Sequence, residues 1–432
     1  MGDQCTLRLV RVSAFQLGCI WRNYLDQSLI SAFSYQELRQ VERSEQLAFT
    51  VRYEEGNIRD IQALIIGPPG TPYELGFYEV DLGVSLSNNL GDHGASLNIA
   101  TELGMVLGSL LSSNPYTLEP GFDDNERAND TEYMEIYKSK IRHENLRLAV
   151  ITPLEQAFQT SSPPHQIALR VGQESSVEED SDAELEPEPG LLAQSKFHDF
   201  CKRRFLWYLE FYQNAIAKGI AEEAHRQGTP FIQMPFEGYG NTMGGEWNYI
   251  DLQARLLALR DRLMEETYRW PVEGLALVKE DAGIAVKLTG QHEQIAAEMD
   301  ACPQVIDLSL VDNNPFVWRL TYVGRNESRL EGGIIKIKIY VSPRHPDEQP
   351  RVFVESPLYH IRVSKQGVLM YLPSHAEEIG QHIEGIITTL EDDSPPYNPL
   401  MTVNPEASAL CWGSELDRRL YRRKLRASLE ES

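Results

Sequence analysis

Residues 65–80 read Ile65-Ile66-Gly67-Pro68-Pro69-Gly70-Thr71-Pro72-Tyr73-Glu74-Leu75-Gly76-Phe77-Tyr78-Glu79-Val80. Two apolar runs flank a stretch of turn residues, so the segment predicts a strand, a tight loop and a second strand. Pro and Gly set the turn dihedrals, and the ring of Tyr73 is placed to close the loop on the core. A Gly-Pro-Pro-Gly-Thr run also opens some phosphate-binding loops. That alternative fails because Pro72-Tyr73-Glu74 stand where such a loop needs Gly-Lys-Ser/Thr.

Outward from this stretch the chain divides by composition. Residues 1–44 form an N-terminal segment and 45–160 a first folded region. Between 173 and 190 the chain reads QESSVEEDSDAELEPEPG, where eight of the fifteen residues from Glu174 to Glu188 are acidic. So few large apolar residues cannot offset the entropy of ordering, which predicts a disordered acidic linker, either a plain spacer or a docking strip for a basic partner. A helical middle region follows at 197–270. Phe205, Leu209, Tyr212 and Ile216 mark a helix over 197–223, and Leu252, Leu256, Leu259 and Leu263 one over 250–268, with Pro271 limiting its extension. The glycine-rich GYGNTMGGEW between them lacks the Lys and Ser/Thr of a phosphate cradle and reads as a loop.

From about 282 to 429 a second folded region is expected. A helix over 284–299 precedes two strands of period-two alternation, at 316–322 and 334–341, and a shorter strand at 351–355; their short joins make an antiparallel meander. Ile379, Ile383, Ile386, Ile387 and Leu390 define the buried side of a helix near 377–390. A last helix over about 405–429 ends in the charged run DRRLYRRKLR.

The 432 residues carry 40 Lys+Arg against 64 Asp+Glu, a net charge of −24, which argues against nucleic acid as a general partner. No run approaches the roughly 18 apolar residues of a membrane span, and no secretion signal opens the sequence, so cytosol or nucleus is expected. Met1-Gly2-Asp3-Gln4-Cys5-Thr6 matches a loose myristoylation pattern with Asp3 as an awkward neighbour. Cys5, Cys19, Cys201, Cys302 and Cys411 never fall at C-x-x-C spacing, which predicts reduced thiols, no metal site and no cofactor.

The residues 65–80 resemble the signature of ubiquitin-conjugating enzymes, carried here by Gly67, Pro68, Pro69, Thr71, Pro72, Tyr73, Glu74, Gly76 and Phe77. Leu107-Gly108-Ser109-Leu110-Leu111-Ser112-Ser113-Asn114-Pro115-Tyr116 is similar to the helix after that family's active site. With Ile141-Arg142-His143-Glu144-Asn145-Leu146-Arg147-Leu148-Ala149-Val150 it resembles the large subgroup that includes the Z-type enzyme. A second, weaker copy is carried by NNPFVWRLTYVG (Asn313 to Gly324), Leu330-Glu331-Gly332-Gly333-Ile334-Ile335, His345-Pro346, Gln349-Pro350 and Asn404-Pro405-Glu406-Ala407. The resemblance implies an α+β chain. Two ubiquitin-conjugating-enzyme-like folds, each an antiparallel meander with flanking helices, are joined by the acidic linker and the helical middle region.

The family's activity is transthiolation, in which a cysteine accepts ubiquitin as a thioester and passes it to an amine. The cysteine stands about ten residues after a His-Pro-Asn motif whose Asn supports the developing oxyanion. In the second copy His360-Ile361-Arg362 stands for that motif. Gly367-Val368-Leu369 matches the lead-in, which puts Met370 at the cysteine position. A thioether has no thiol to ionise, and Arg362 replaces Asn, so this copy reads as silent. In the first copy residues 81–109 hold neither a cysteine nor the motif; Asp92-His93, the one acid-base pair there, reads as a turn. Among the real cysteines Cys201 is the best outsider, because Lys202, Arg203 and Arg204 would favour its thiolate at a helix N-terminus.

Three readings follow: an inactive scaffold, an active transferase whose catalytic segment was lost by splicing or gene-model error, or a general acidic interaction protein. The resemblance further implies ubiquitin or a ubiquitin-like protein, an activating enzyme or a ligase as partners. It places contacts for them at Pro68, Pro69, Asn114 and Pro115, where turn geometry is an equal explanation.

Overall fold

The computed structural model describes residues 48–54, 57–83, 111–118, 131–160, 197–238, 243–279, 282–299 and 301–431. The N-terminal segment with its myristoylation pattern, Cys5 and Cys19, the Asp92-His93 pair and the acidic run 173–190 lie outside them. The chain is α+β and falls into two units. One includes Val51–Lys202 and Glu222–Leu259, the other Arg203–Ala221 and Arg260–Ser432.

In the first unit β1 (Phe49–Glu54), β2 (Asn57–Ile66) and β3 (Phe77–Gly83) form a sheet in that order. β2 and β3 pair antiparallel from Asp60↔Gly83 to Ile66↔Phe77. Ala63 through Ile66 and Phe77, Tyr78 and Val80 are all buried, so both sheet faces are covered there and the apolar runs do not alternate. Helix α1 (Thr131–Glu144) continues through a π-helical stretch (Asn145–Ile151) into α2 (Thr152–Thr160). It buries Ile136, Tyr137, Ile141, Val150 and Leu154 along its length.

The helix expected around Leu107 to Tyr116 is not formed in its described part, where residues 111–114 are irregular and Pro115–Leu118 is a short 3-10 helix. Ser112 Oγ accepts from the Asn114 amide and Thr117 Oγ1 donates to the Asn114 carbonyl. Such side-chain-to-backbone bonds compete with an α-helix.

Two long helices follow, α3 (His198–Glu222) and α4 (Tyr249–Leu277). Pro271 does not stop α4: the helix runs on to Leu277. Proline removes one intrahelical bond and crowds the carbonyl one turn back. Here Trp270 on one side of it is fully buried, and the Asn314 side chain donates to the Pro271 carbonyl. Burial of a tryptophan outweighs the loss of one bond.

The second unit is built on α5 (Gly283–Met299) and a sheet of β4 (Val305–Leu310), β5 (Val317–Val323), β6 (Ile334–Tyr340) and β7 (Arg351–Val354), in sequence order. All neighbours are antiparallel, with Val323↔Ile334 and Ile337↔Val354 fixing the register. Phe316, Trp318, Leu320 and Tyr322 alternate into the core, where they meet Ile335, Ile337 and Ile339 of β6 and Ile379, Ile383, Ile386 and Leu390 of α6 (Ile379–Glu391). The meander has four strands rather than three, because β4, VIDLSL, was hidden by its polar Asp307 and Ser309 and by an outward Ile306. The last helix is two, α7 (Pro405–Cys411) and α8 (Glu415–Glu430). Gly413 breaks the run, and Ser414 with Asp417 forms a capping box that starts α8 afresh.

Candidate functional site

After β7 the chain runs through His360-Ile361-Arg362 into a tight hairpin over 363–369. Val363 pairs with Leu369, Phe353 of β7 pairs with Val368, and the Leu369 amide donates to the Val352 carbonyl at 3.0 Å. Gly367 sits at the turn with φ of 81°. A Cβ there would lie 2.4 Å from the Val354 carbonyl oxygen, so the position admits only glycine. The hairpin returns Met370 to Arg362, whose carbonyl accepts from the Met370 amide at 2.9 Å. The Met370 side chain is fully buried.

His360 is buried, and its Nδ1 accepts from the Arg362 amide. Burial, then the nearby Arg362 and Arg329 cations, push its pKa down to about 3, so the ring is neutral at physiological pH. Arg362 is also buried, which disfavours its charge; Asp392 opposes this through an ion pair at 3.2 Å. Arg362 Nε has no partner among the described residues. Beside this cluster lies a cavity of about 10 Å³ lined by Arg329, His360, Asp392, Asp393 and Tyr421 among others, enough for about one water. The His360 Nδ1 lone pair is taken up by the Arg362 amide, the guanidinium is paired with Asp392, and the thioether of Met370 has no thiol to ionise.

The turn between β2 and β3 is closed by backbone bonds. The Gly67 amide donates to the Gly76 carbonyl at 2.8 Å, and the Gly76 amide to the Tyr73 carbonyl at 3.1 Å. Thr71 Oγ1 donates to the Pro68 carbonyl and accepts from the Tyr73 amide. Tyr73 and Pro72 are buried, Glu74 and Gly70 exposed, Pro68, Pro69 and Thr71 half-buried. Asn145 locks the loop, donating to the Glu74 carbonyl and accepting from the Tyr78 hydroxyl. Asn114 is half-buried and Pro115 buried.

The loop between β5 and β6 repeats this closure. The Gly324 amide donates to the Gly333 carbonyl at 3.0 Å, and the Gly333 amide to the Leu330 carbonyl at 3.0 Å. A Cβ on Gly67 would fall 1.7 Å from the Tyr73 oxygen, and one on Gly324 1.7 Å from the Leu330 oxygen. Glycine is therefore obligatory at the first position of each loop.

No family model matches the chain. Among solved structures it is similar to the H. polymorpha ubiquitin-conjugating enzyme Pex4p, determined in complex with the soluble domain of Pex22p. The identity is 15%, over 34% of this chain and 96% of that chain, with a TM-score of 0.29.

Of the described cysteines, Cys411 interacts with Arg329 beside the His360 cavity, and Cys201 and Cys302 lie elsewhere in the sequence. Cys201 is fully buried within α3, with Lys202 over the Phe158 ring and Arg204 over the Trp207 ring, so it is no exposed thiolate. Cys302 Sγ donates to Gln304 Oε1 at 3.4 Å, and burial pushes the Cys411 thiol up. Among the described residues no helix is long and apolar enough to cross a membrane.

Sequence reasoning missed two buried polar arrangements. In the first unit Lys140 donates to Glu237 at 2.7 Å, and the same carboxylate accepts from the Met234 amide, before the glycine-rich stretch, and the Met243 amide, within it. In the second, Glu210 of α3 accepts from the Lys365 amide at 2.6 Å, at the hairpin turn, and burial raises its pKa. The signal for Glu210 was a lone carboxylate within the apolar run FLWYLEFY.

Proposed function

We propose that this chain is a tandem of ubiquitin-conjugating-enzyme-like folds, at about residues 45–160 and 282–429, that works in the ubiquitin pathway without forming a thioester itself. It acts as a scaffold that binds ubiquitin or a ubiquitin-like protein, a ligase or an activating enzyme, in the cytosol or nucleus. The observation that carries the reading is the burial of Met370 at the end of the hairpin, beside Arg362, where the family's chemistry needs an ionisable thiol. The shared closure of loops 67–76 and 324–333, each beginning on an obligatory glycine, supports two related folds.

The test is thioester charging of the full chain with a ubiquitin-activating enzyme, ATP and ubiquitin on a non-reducing gel, paired with an NMR titration of labelled ubiquitin. The scaffold reading expects no reducible adduct and a saturable shift. A reducible adduct refutes it. The second reading, an active transferase that lost its catalytic segment, is favoured by the intact 67–76 loop immediately before β3. It expects charging once a transcript restores a cysteine between Val80 and Leu110.

A further inference from the structure

The hairpin that leads into Met370 is covered on one side by a helix. Within the second unit the stretch Arg203–Ala221 of α3 lies against β7 and the hairpin. Leu206 and Trp207 meet Phe353, Val368 and Tyr371 around a gap of about 10 Å³, which holds about one water. An extended peptide needs a channel nearly 5 Å across along its whole length, the spacing between paired strands. Two polar ties hold the helix in place: Glu210 Oε1 accepts from the Lys365 amide at 2.6 Å, and the Tyr208 hydroxyl donates to the Leu400 carbonyl at 2.9 Å. One tie grips the hairpin turn before Met370 and the other the 3-10 turn Pro399–Met401 after α6. Tyr208 and its neighbour Trp207 are both buried.

We propose that the Arg203–Ala221 stretch of α3 is a built-in lid that closes the hairpin of the second unit to the C-terminal tail of a modifier. The position of Met370 is therefore sealed by packing as well as by chemistry. This rests on the reading of Met370 as the cysteine position. The lid itself makes a separate claim: a thiol placed there stays out of reach until α3 is loosened. Glu210 supplies a carboxylate to a turn amide, and Trp207 supplies the ring that fills the face of β7. Removing both frees the hairpin without touching its sequence.

The test introduces Met370→Cys in the full chain and measures site-resolved alkylation by N-ethylmaleimide, with half-buried Cys302 as the internal reference. The lid expects Cys at 370 to react at least about 100-fold more slowly than Cys302, and Trp207→Ala with Glu210→Ala to speed it by at least about tenfold, as local opening becomes easier. Rapid labelling in the intact chain overturns the lid. Slow labelling in both forms overturns it too, since the hairpin alone would then bury the site. Should the paired variant fail to fold, Glu210→Ala alone is read by hydrogen exchange. Faster exchange of the Lys365 amide supports the lid, and unchanged exchange overturns it. Charging with ubiquitin separates the two claims: a loosened variant that labels with maleimide yet forms no ubiquitin thioester counts against the reading of position 370, while the lid stands.

Discussion

Acidification should weaken the second unit through His360. The ring is neutral in the folded chain because burial, Arg362 and Arg329 hold its pKa down to about 3, whereas an unfolded histidine titrates near 6.5. Between those values the unfolded chain binds a proton that the folded chain does not, so stability rises with pH across the window and is lost as pH falls. At about 1.4 kcal/mol per pH unit, the loss reaches roughly 2.5 kcal/mol by pH 4.5 and about 5 kcal/mol over the whole interval. Asp392, Asp393 and Tyr421 line the same cavity, and other groups of the chain also respond to pH. The measurement is therefore a difference: urea unfolding of wild type and His360→Gln at pH 7, 5.5 and 4.5. Gln keeps an acceptor for the Arg362 amide and removes the titration. The variant should lose about 2 kcal/mol less than wild type between pH 7 and 4.5. Equal losses in the two proteins refute the buried neutral imidazole.

The Lys140–Glu237 pair has side chains 0% and 3% exposed. Lys140→Met or Glu237→Gln alone should cost about 3–5 kcal/mol in chemical denaturation, because each leaves a buried group uncompensated. The double replacement should cost less than the sum of the singles, and additive losses would argue against coupling. Gly67→Ala and Gly324→Ala should each destabilise their unit by about 3 kcal/mol or more, since the added carbon overlaps a carbonyl oxygen; a melting temperature within a degree or two of wild type would contradict the loop geometry.

Local chemistry was legible wherever a period or a turn residue determined the outcome. Phe316, Trp318, Leu320 and Tyr322 alternate because one face of β5 meets the core, and the same rule located β6, whereas β7 is buried at every position. Gly67 signalled its turn, whereas the turn at Gly367 was read only as a lead-in. Strand β4 escaped because an edge strand buries little: Leu308 turns inward while Ile306 faces out. Pro271 misled because tertiary burial of Trp270 overrode a local penalty. The closure of α3 over the hairpin had no local signature, since Glu210 and Lys365 meet across 155 positions. The pairing of Met370 with Arg362 likewise depends on a hairpin register that Gly367 permits but does not specify.

The clamp between Gly324 and Gly333 carries one more consequence, for engineering. Its amide-to-carbonyl bond joins the ends of β5 and β6 directly, so strand register is settled before the chain enters the loop. Arg325, Asn326 and Glu327 are exposed beyond that clamp. Extra length added there should lengthen the loop's path without disturbing the ladder, at an entropic cost that grows only slowly with length. An epitope inserted after Asn326 would thus report on the second unit from outside its hydrogen-bonded frame.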